Sequence, residues 1–341
     1  MKTKRISSLE LGRIISIIGV ITIHTGVFHN LILIDGQPWI TRLLNQASRF
    51  AVPFFFILSG YFIQPKLAAQ PFKTLTDYSK PLLKLWLIWS AIYLVIPRNI
   101  GQVLYRGYLI ERINYWQRLA RQPLIKLLFQ GGEVHLWFLL ALICALVIIS
   151  FTIRLNACNL IVLIAIALYI YGLMAGSYQP IFGLEAPFNT RLGPFFSTLL
   201  VVLGYEFRRK NFALPLKTAL IVMTFGTVLH FTEAFYLIQW GMKFEGHDFL
   251  LGTPIWAMGM FFTLLAVPQF GANTRLVELS KYTLGIYLCH YIIIIYLRYL
   301  YGFLKINAWF QDLTLIPMTF LVSLIFIKVL SKTPLRNLLT R

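Results

Sequence analysis

Arg13 and His24 are the two residues whose types and spacing most clearly allow chemistry inside an apolar segment. Eleven positions separate them, which on a helix is nearly three turns, so both side chains point the same way, about 16 Å apart along the axis. An ionisable group within lipid is costly unless it is paired or hydrated, so it marks a functional site by default. A neutral histidine there could take the proton of an attacking hydroxyl, and a nearby arginine could hold an anionic group.

Polar groups also interrupt four other apolar segments, where a simple membrane anchor would not need them. In chain order they are Arg49, Ser59 and Tyr61, then Lys80 and Lys84, then His135 and Trp137, and finally Tyr287 and His290. Each has a structural interpretation beside the functional one. Arginine and lysine can extend to the membrane interface, tryptophan can mark that interface, and the remainder can be polar contacts between packed helices.

The elements that must position these residues are transmembrane helices. The chain has 341 residues, of which 58% are hydrophobic and 13% charged, whereas a soluble domain carries about 25% charged residues. We predict an all-α, polytopic transmembrane helical bundle that forms a single domain over residues 1–341. Because one span takes roughly 20 apolar residues, we expect about ten spans, at 12–30, 46–64, 81–97, 135–153, 159–175, 193–207, 216–237, 250–268, 283–301 and 312–331.

The net charge of +19 could indicate a nucleic-acid partner, but its distribution favours a membrane instead. With ten spans, the basic clusters fall on one side, which is the positive-inside pattern with both termini cytoplasmic. Contacts with anionic lipids explain the same charges. The clusters are Lys2, Lys4 and Arg5; Lys66, Lys73 and Lys80; Arg208, Arg209, Lys210 and Lys217; Arg275 and Lys281; and Lys332, Arg336 and Arg341.

Residues 98–134 do not follow this pattern, because they should be extracytoplasmic and yet are rich in arginine. Leu109, Ile113 and Trp116 interleave with the charges, as in an amphipathic helix that lies on the outer membrane surface. The alternative is a basic rim that attracts an anionic glycan or a lipid-linked substrate.

The sequence contains no pattern for a bound metal or nucleotide cofactor. Cys144, Cys158 and Cys289 lie in or beside apolar segments without the spacing of a metal site. No phosphate-binding loop, dinucleotide glycine pattern or zinc helix occurs. We therefore expect no resident cofactor, no metal site and no nucleic-acid partner.

Four motifs in order resemble acyltransferase family 3, the integral membrane O-acyltransferases that acylate bacterial surface glycans. The family has an acidic residue three before an arginine, and a histidine eleven after it, as Glu10, Arg13 and His24 stand here. The other matches are a phenylalanine-rich segment at 53–61, the His-Leu-Trp-Phe run at 135–138 and the Leu-Gly-Ile-Tyr and histidine segment at 284–290. The resemblance covers nearly the whole chain and is closest to the branch that contains the enterobacterial common antigen O-acetyltransferase.

This resemblance implies an acyl-coenzyme A donor on the cytosolic side, most often acetyl-CoA, and a hydroxyl of a surface polysaccharide or lipid-linked glycan as acceptor. It implies His24 as general base, Arg13 as the group that holds the donor, and the other residues named above as substrate-binding candidates. The chain departs from the family in having Glu10 for the usual aspartate, and Lys80 and Lys84 for a common arginine pair. Lysine binds phosphate only as a point charge.

Three alternatives to this interpretation stay open. An acyl intermediate on His24 or Ser59 would replace direct transfer. A glycan or anion transporter, or flippase, would use the same intramembrane basic groups without acyl transfer, although no inverted repeat is visible. A scaffold without catalysis would leave Arg13, His24, Arg49, His135 and His290 unexplained.

Overall fold

The computed structural model describes residues 6–340, and in this part of the chain the architecture is helical, with one isolated β-bridge between Ile34 and Gln37. The predicted all-α class is confirmed. Predicted basic residues Lys2, Lys4, Arg5 and Arg341 lie outside the described residues. The helices are α1 Ser7–Thr25, α2 Trp39–Ala47, α3 Ala51–Ala69, α4 Pro71–Val95, α5 Ile100–Arg106, α6 Tyr108–Ala120, α7 Leu124–Gln130, α8 Trp137–Arg154, α9 Ile161–Met174, α10 Gln179–Phe182, α11 Pro194–Arg209, α12 Leu216–Tyr236, α13 Gly252–Ala266, α14 Leu276–Leu279, α15 Thr283–Phe303, α16 Ala308–Leu330 and α17 Arg336–Leu339.

A helix forms at each of the ten apolar segments, but the count of ten membrane spans is not confirmed. Six stretches of the described chain are long and apolar enough to cross a membrane, or seven if α4 and α5, which meet at a 44° bend, form one span. Helices α9, α11 and α13 have 14, 16 and 15 residues. At 1.5 Å per residue they reach about 21 to 24 Å, less than the roughly 30 Å of a hydrocarbon core.

Two helix pairs make the most extensive contacts, α12 with α13 and α3 with α11. Glycines allow the second pair to cross backbone against backbone. A Cβ at Gly60 of α3 would overlap the carbonyl oxygen of Val201, and one at Gly204 of α11 would overlap that of Ile57. Small residues at such crossings let two helices approach closely in a membrane, so this pair fixes the position of α3, which begins two residues after Arg49.

The 98–134 segment forms α5, α6 and α7, three short helices beside the ends of α4 and α15. Helix α6 is amphipathic, but it buries the charged pair Glu111 and Arg112 and exposes Leu109, Ile113 and Trp116. An exposed apolar face on a helix of this kind suits a membrane interface. Its location on the outer side stays a prediction.

Candidate active site

Three histidines from distant parts of the chain meet at one end of α1. His24 occupies the last turn of α1, His135 lies in the short 3₁₀ turn Val134–Leu136 before α8, and His290 lies in α15. The ring centroid of His24 is 5.3 Å from that of His290 and 6.2 Å from that of His135. Tyr291 completes the cluster, with its ring 5.4 Å from His24.

Carbonyl oxygens determine which ring nitrogens of His135 and His290 carry hydrogen. His135 Nε2 lies 3.3 Å from the carbonyl oxygen of Leu288, and His290 Nδ1 lies 2.7 Å from that of Tyr287. A carbonyl oxygen only accepts, so a neutral ring that bonds it donates from these nitrogens. The Tyr93 hydroxyl, 3.4 Å from His135 Nε2, is consistent with this tautomer because it donates to the Leu288 carbonyl oxygen. The opposite nitrogens, His135 Nδ1 and His290 Nε2, then hold lone pairs, and both are buried with no hydrogen-bond partner among residues 6–340.

A narrow cavity of about 60 Å³, here called the neck, lies beside His24. Five predicted site residues line it, which are His24, Arg49, His135, Trp137 and Tyr287. Apolar side chains form much of the remaining wall, including those of Val20, Ile23, Val52 and Phe196. The space is enough for a small polar group such as an acyl carbonyl or a few waters.

Two arginines share one carboxylate at the wall of the neck. Arg49 Nη1 donates to Asp248 Oδ1 at 2.9 Å, and Arg191 Nη1 donates to the same oxygen at 2.7 Å. Burial alone would raise the pKa of Asp248, but the charges of Arg191 and Arg49 outweigh it, so that pKa lies below its usual value. Asp248 therefore stays ionised near neutral pH, and the three groups carry a net charge of one positive unit.

A second cavity, of about 240 Å³, continues from the neck toward Arg13 and is here called the Arg13 cavity. It shares Val52 and Tyr287 with the neck, and Arg13 and Ser59 line it. Arg13 pairs with Glu10 at 3.2 Å. The Ser59 hydroxyl donates to the carbonyl oxygen of Phe55 at 2.7 Å, a bond within its own helix.

A third cavity, of about 640 Å³, is also lined by His24 and is here called the Arg298 cavity. It shares Ile23 and His24 with the neck. Polar groups of Asn30, Arg298 and Asp312 line it, together with apolar residues of α15 and α16. His24 thus lies where the neck meets the Arg298 cavity, and the three cavities form a row from Arg13 past His24.

A fourth, polar cavity of about 230 Å³, the Arg98 cavity, adjoins the neck through Arg191 and Val134. Arg98 links it to the histidine cluster, because its guanidinium donates to the Tyr291 hydroxyl at 3.2 Å and pairs with Glu133 at 3.1 Å. The predicted basic segment therefore contributes a side chain next to the site.

Comparison with known proteins identifies the family of the chain that forms these cavities. The family 3 acyltransferase model, described as an acyltransferase domain, matches residues 6–328. The chain belongs to this acyltransferase family. No solved structure matches it.

The curated relatives are longer proteins. An amino-acid racemase from Enterococcus faecalis is 24% identical over 347 residues, covering 96% of this chain and 47% of the relative. A serine/alanine racemase from Enterococcus gallinarum is 26% identical over 312 residues, covering 85% of this chain and 40% of the relative. This chain thus spans less than half of the length of these relatives.

Some predicted site residues of this acyltransferase lie away from the row of cavities. The Tyr61 hydroxyl accepts a hydrogen bond from Arg208 at 3.3 Å, and its ring packs on Phe261. Lys80 is exposed, and Lys84 donates to the carbonyl oxygen of Asn337 at 2.9 Å. Among the four cavities described above, none is lined by Tyr61, Lys80 or Lys84.

Sequence reasoning missed Arg191, Asp248 and Tyr291. Arg191 and Asp248 lie in connections between helices, where no periodic pattern marks a functional face. One signal was available, because the predicted topology puts both connections on the same side as Arg49, and acidic residues are scarce, at 12 against 31 lysines and arginines. Tyr291 follows directly after the predicted His290.

Proposed function

We propose that this protein is a membrane O-acyltransferase of the bacterial inner membrane, with both termini cytoplasmic. It moves an acyl group, most simply acetyl, from cytosolic acyl-coenzyme A to a hydroxyl of a cell-surface or lipid-linked polysaccharide. The observation that carries the proposal is the position of His24, between a neck that leads to Arg13 and a larger polar cavity. The motif resemblance favours an acceptor like that of the enterobacterial common antigen branch.

The Arg13 cavity suits the donor. Its walls are largely apolar, with Leu58, Leu82 and Leu142, which fits the thin pantetheine arm of coenzyme A. Arg13 supplies a cation, held by Glu10, for the anionic part of the donor. The thioester at the tip of the arm would then reach the neck beside Tyr287, which lines both spaces.

The Arg298 cavity suits the acceptor. Its volume falls in the range of small-molecule sites, and it combines hydrogen-bonding side chains with apolar ones, as a sugar ring requires. His24 lines both this cavity and the neck, so a hydroxyl from this cavity and a thioester in the neck can meet beside the imidazole.

The proposed step is direct transfer. A neutral His24 nitrogen takes the proton of the acceptor hydroxyl while the oxygen attacks the thioester carbonyl, a role worth about 10²- to 10⁴-fold in rate. The tetrahedral intermediate expels the coenzyme A sulfur, which receives the proton from the His24 imidazolium. The products are the sugar ester and free coenzyme A. The lone pair of His290 Nε2, beside His24, is available to accept the second N–H of the base and orient it.

Racemase activity is not proposed for this chain. More than half of each racemase lies outside the match, and the acyltransferase domain covers residues 6–328 of this chain. The remaining alternative is a glycan or anion transporter that lacks acyl transfer.

The deciding experiment compares surface glycans from deletion, wild-type and His24→Ala cells by mass spectrometry and proton NMR. We expect an ester that is present with the wild-type chain and absent from the other two strains. Thr22→Ala is the matched control, because Thr22 lies on the same helix and its hydroxyl only bonds the carbonyl oxygen of Ile18. Unchanged esterification in the deletion strain would overturn the acyltransferase proposal and direct attention to transport.

A further inference from the structure

We infer that Arg191 stabilises the negative charge that develops on the acyl carbonyl oxygen during transfer, which makes it a catalytic residue. The inference rests on the proposed function and adds a group that none of the sequence motifs contains. Three observations carry it, namely the hydrogen-bonding capacity that Arg191 has left, its place in the neck, and the charge of the cluster around it.

Arg191 and Arg49 both line the neck and both bind Asp248, yet they differ in how many of their guanidinium nitrogens donate a hydrogen bond. Arg49 uses all three nitrogens, because Nη1 donates to Asp248, Nε to the Asn45 side chain at 3.1 Å and Nη2 to the carbonyl oxygen of Glu245 at 3.1 Å. The Arg191 guanidinium makes one such bond, from Nη1 to Asp248. Its Nε is buried and has no hydrogen-bond partner among residues 6–340.

The surroundings hold the Arg191 guanidinium in place. Its central carbon lies 5.3 Å from the centroid of the Trp137 ring, which also lines the neck. The bond to Asp248 and this cation–π contact restrain the position of the group. A donor that is fixed before the reaction stabilises a developing charge without a reorganisation cost.

The electrostatics of the neck match an oxyanion. Arg49, Arg191 and Asp248 together carry one net positive charge, and no other acidic residue lines this cavity within the described chain. With a volume of about 60 Å³, the cavity is small enough that an acyl carbonyl within it lies close to both Arg191 and His24. Apolar walls lower the local dielectric, and a hydrogen bond to a charge is then stronger than in water.

The chemical role is confined to hydrogen bonding. As the acceptor oxygen attacks, the carbonyl π electrons move onto the carbonyl oxygen, which accepts an N–H of Arg191. When the carbon–sulfur bond breaks, that electron pair returns to restore the carbonyl group. No proton leaves the guanidinium, so His24 alone handles the proton in both directions.

The test measures acyl transfer by the purified full-length protein in lipid nanodiscs, with acetyl-CoA as donor and polysaccharide from deletion cells as acceptor. For Arg191→Gln we expect kcat to fall by about 10²- to 10³-fold, as for removal of one oxyanion donor, with the KM for acetyl-CoA nearly unchanged. Arg191→Lys should lose nearly as much, because lysine lacks the fixed planar fork. Arg42→Gln is the matched control, since Arg42 pairs with Glu245 away from the neck.

A rescue experiment separates this role from a structural one. Arg191 also lines the Arg98 cavity, so small cations can enter from there the space that Arg191→Ala leaves. Guanidinium ions at low concentration should restore part of kcat to Arg191→Ala and none to His24→Ala. If kcat of Arg191→Gln equals that of the wild type, or if guanidinium restores nothing to a folded Arg191→Ala, the inference is overturned. Absence of any transfer by the wild type would overturn the proposed function itself.

Discussion

Two arginine–carboxylate clusters in this molecule differ in burial, in net charge and in what they leave unbound. One joins Arg49 and Arg191 to Asp248 at the neck, and the other joins Arg112 to Glu111 in α6. The first lines a cavity that also contains His24, whereas Arg112 lines none of the four cavities described for residues 6–340.

The Arg112 cluster is closed, in the sense that its charged groups bond one another and the backbone and do not line a described cavity. Arg112 is fully buried, its Nε and Nη2 both donate to Glu111, and its Nη1 lies 3.3 Å from the carbonyl oxygens of Tyr93 and Leu94. Glu111 also accepts the backbone N–H groups of Arg98 and Asn99, and although burial opposes it, these bonds keep the pKa of Glu111 below its usual value. All three guanidinium nitrogens donate, so this cluster holds the 98–134 segment onto α4.

The difference teaches that burial and charge do not by themselves mark a functional site in this protein. The informative feature is a buried donor with unused capacity next to a cavity, as at Arg191 Nε, or a buried lone pair, as at His290 Nε2. Unsatisfied buried polar atoms are rare in folded proteins and call for an explanation. Substrate contact would explain the free donor of Arg191, and orientation of His24 would explain the lone pair of His290.

The largest expected effect on stability comes from opening the closed cluster. Arg112→Met should leave Glu111 as a buried carboxylate without its partner and lower the free energy of unfolding by about 3–5 kcal/mol. The turnover of the protein that remains folded should be unchanged. Thermal unfolding in detergent, together with kcat per folded molecule, checks both parts. A fall in kcat at unchanged stability would show that the comparison between the two clusters is wrong.

Asp248→Asn should have a mixed effect. The two arginines would lose their shared carboxylate, and the net charge at the neck would rise by one unit. Since Asp248 is partly exposed, we expect about 2–3 kcal/mol of lost stability, and a fall in kcat of about tenfold because Arg191 loses its anchor. The same unfolding and kinetic assays measure both. An Asp248→Asn protein with wild-type kcat would mean that the orientation of Arg191 does not depend on this carboxylate.

His247 gives a test based on pH. Its side chain is buried, and burial, aided by the charge of Arg49, lowers the pKa to about 4 in the folded protein. In the unfolded chain the pKa of His247 is near 6.5, so as the pH falls the unfolded state binds the proton before the folded state does. The free energy of unfolding of the wild type should therefore fall by about 2 kcal/mol between pH 7 and pH 5 through this group. His247→Gln should lack that part of the slope. If the free energies of unfolding of the two proteins fell equally between pH 7 and pH 5, the low pKa of His247 would be refuted.

The smallest effect is expected for the lysines of α4. Lys80→Gln and Lys84→Gln each remove an exposed charge that lines none of the four cavities, so the KM for acetyl-CoA should rise by less than about fivefold. Initial rates at varied acetyl-CoA test this. A larger rise would support the expectation from family resemblance that these lysines bind the donor, and it would extend the donor site beyond the Arg13 cavity.

Local sequence patterns could predict the helices and the face of α1 but not the whole site. Each apolar segment forms a helix because length and hydropathy act locally. The common face of Arg13 and His24 follows from the helical period, and both line the same row of cavities. The number of spans could not be predicted in this way, because α9, α11 and α13 are shorter than a hydrocarbon core requires.

The remainder of the site depends on contacts between distant segments. Arg191 and Asp248 are 57 positions apart and lie in irregular connections, so no helical periodicity in the sequence predicts their contact. Residue type and motif also suggested Tyr61 and Lys84, whose side chains bond Arg208 and Asn337 and line none of the four cavities, so their role in the site stays a prediction. Only the packing of the helices determines which of these groups faces a cavity.

The glycine crossing of α3 and α11 has a consequence for how this protein can evolve. Because Gly60 and Gly204 each lie against the main chain of the partner helix, no side chain at either position fits without separating the helices. Arg49, just before α3, would move with them. Genetic drift in homologues should therefore spare these two glycines even where the polar residues of the Arg298 cavity diversify, and mutational libraries intended to change acceptor preference can leave both codons fixed.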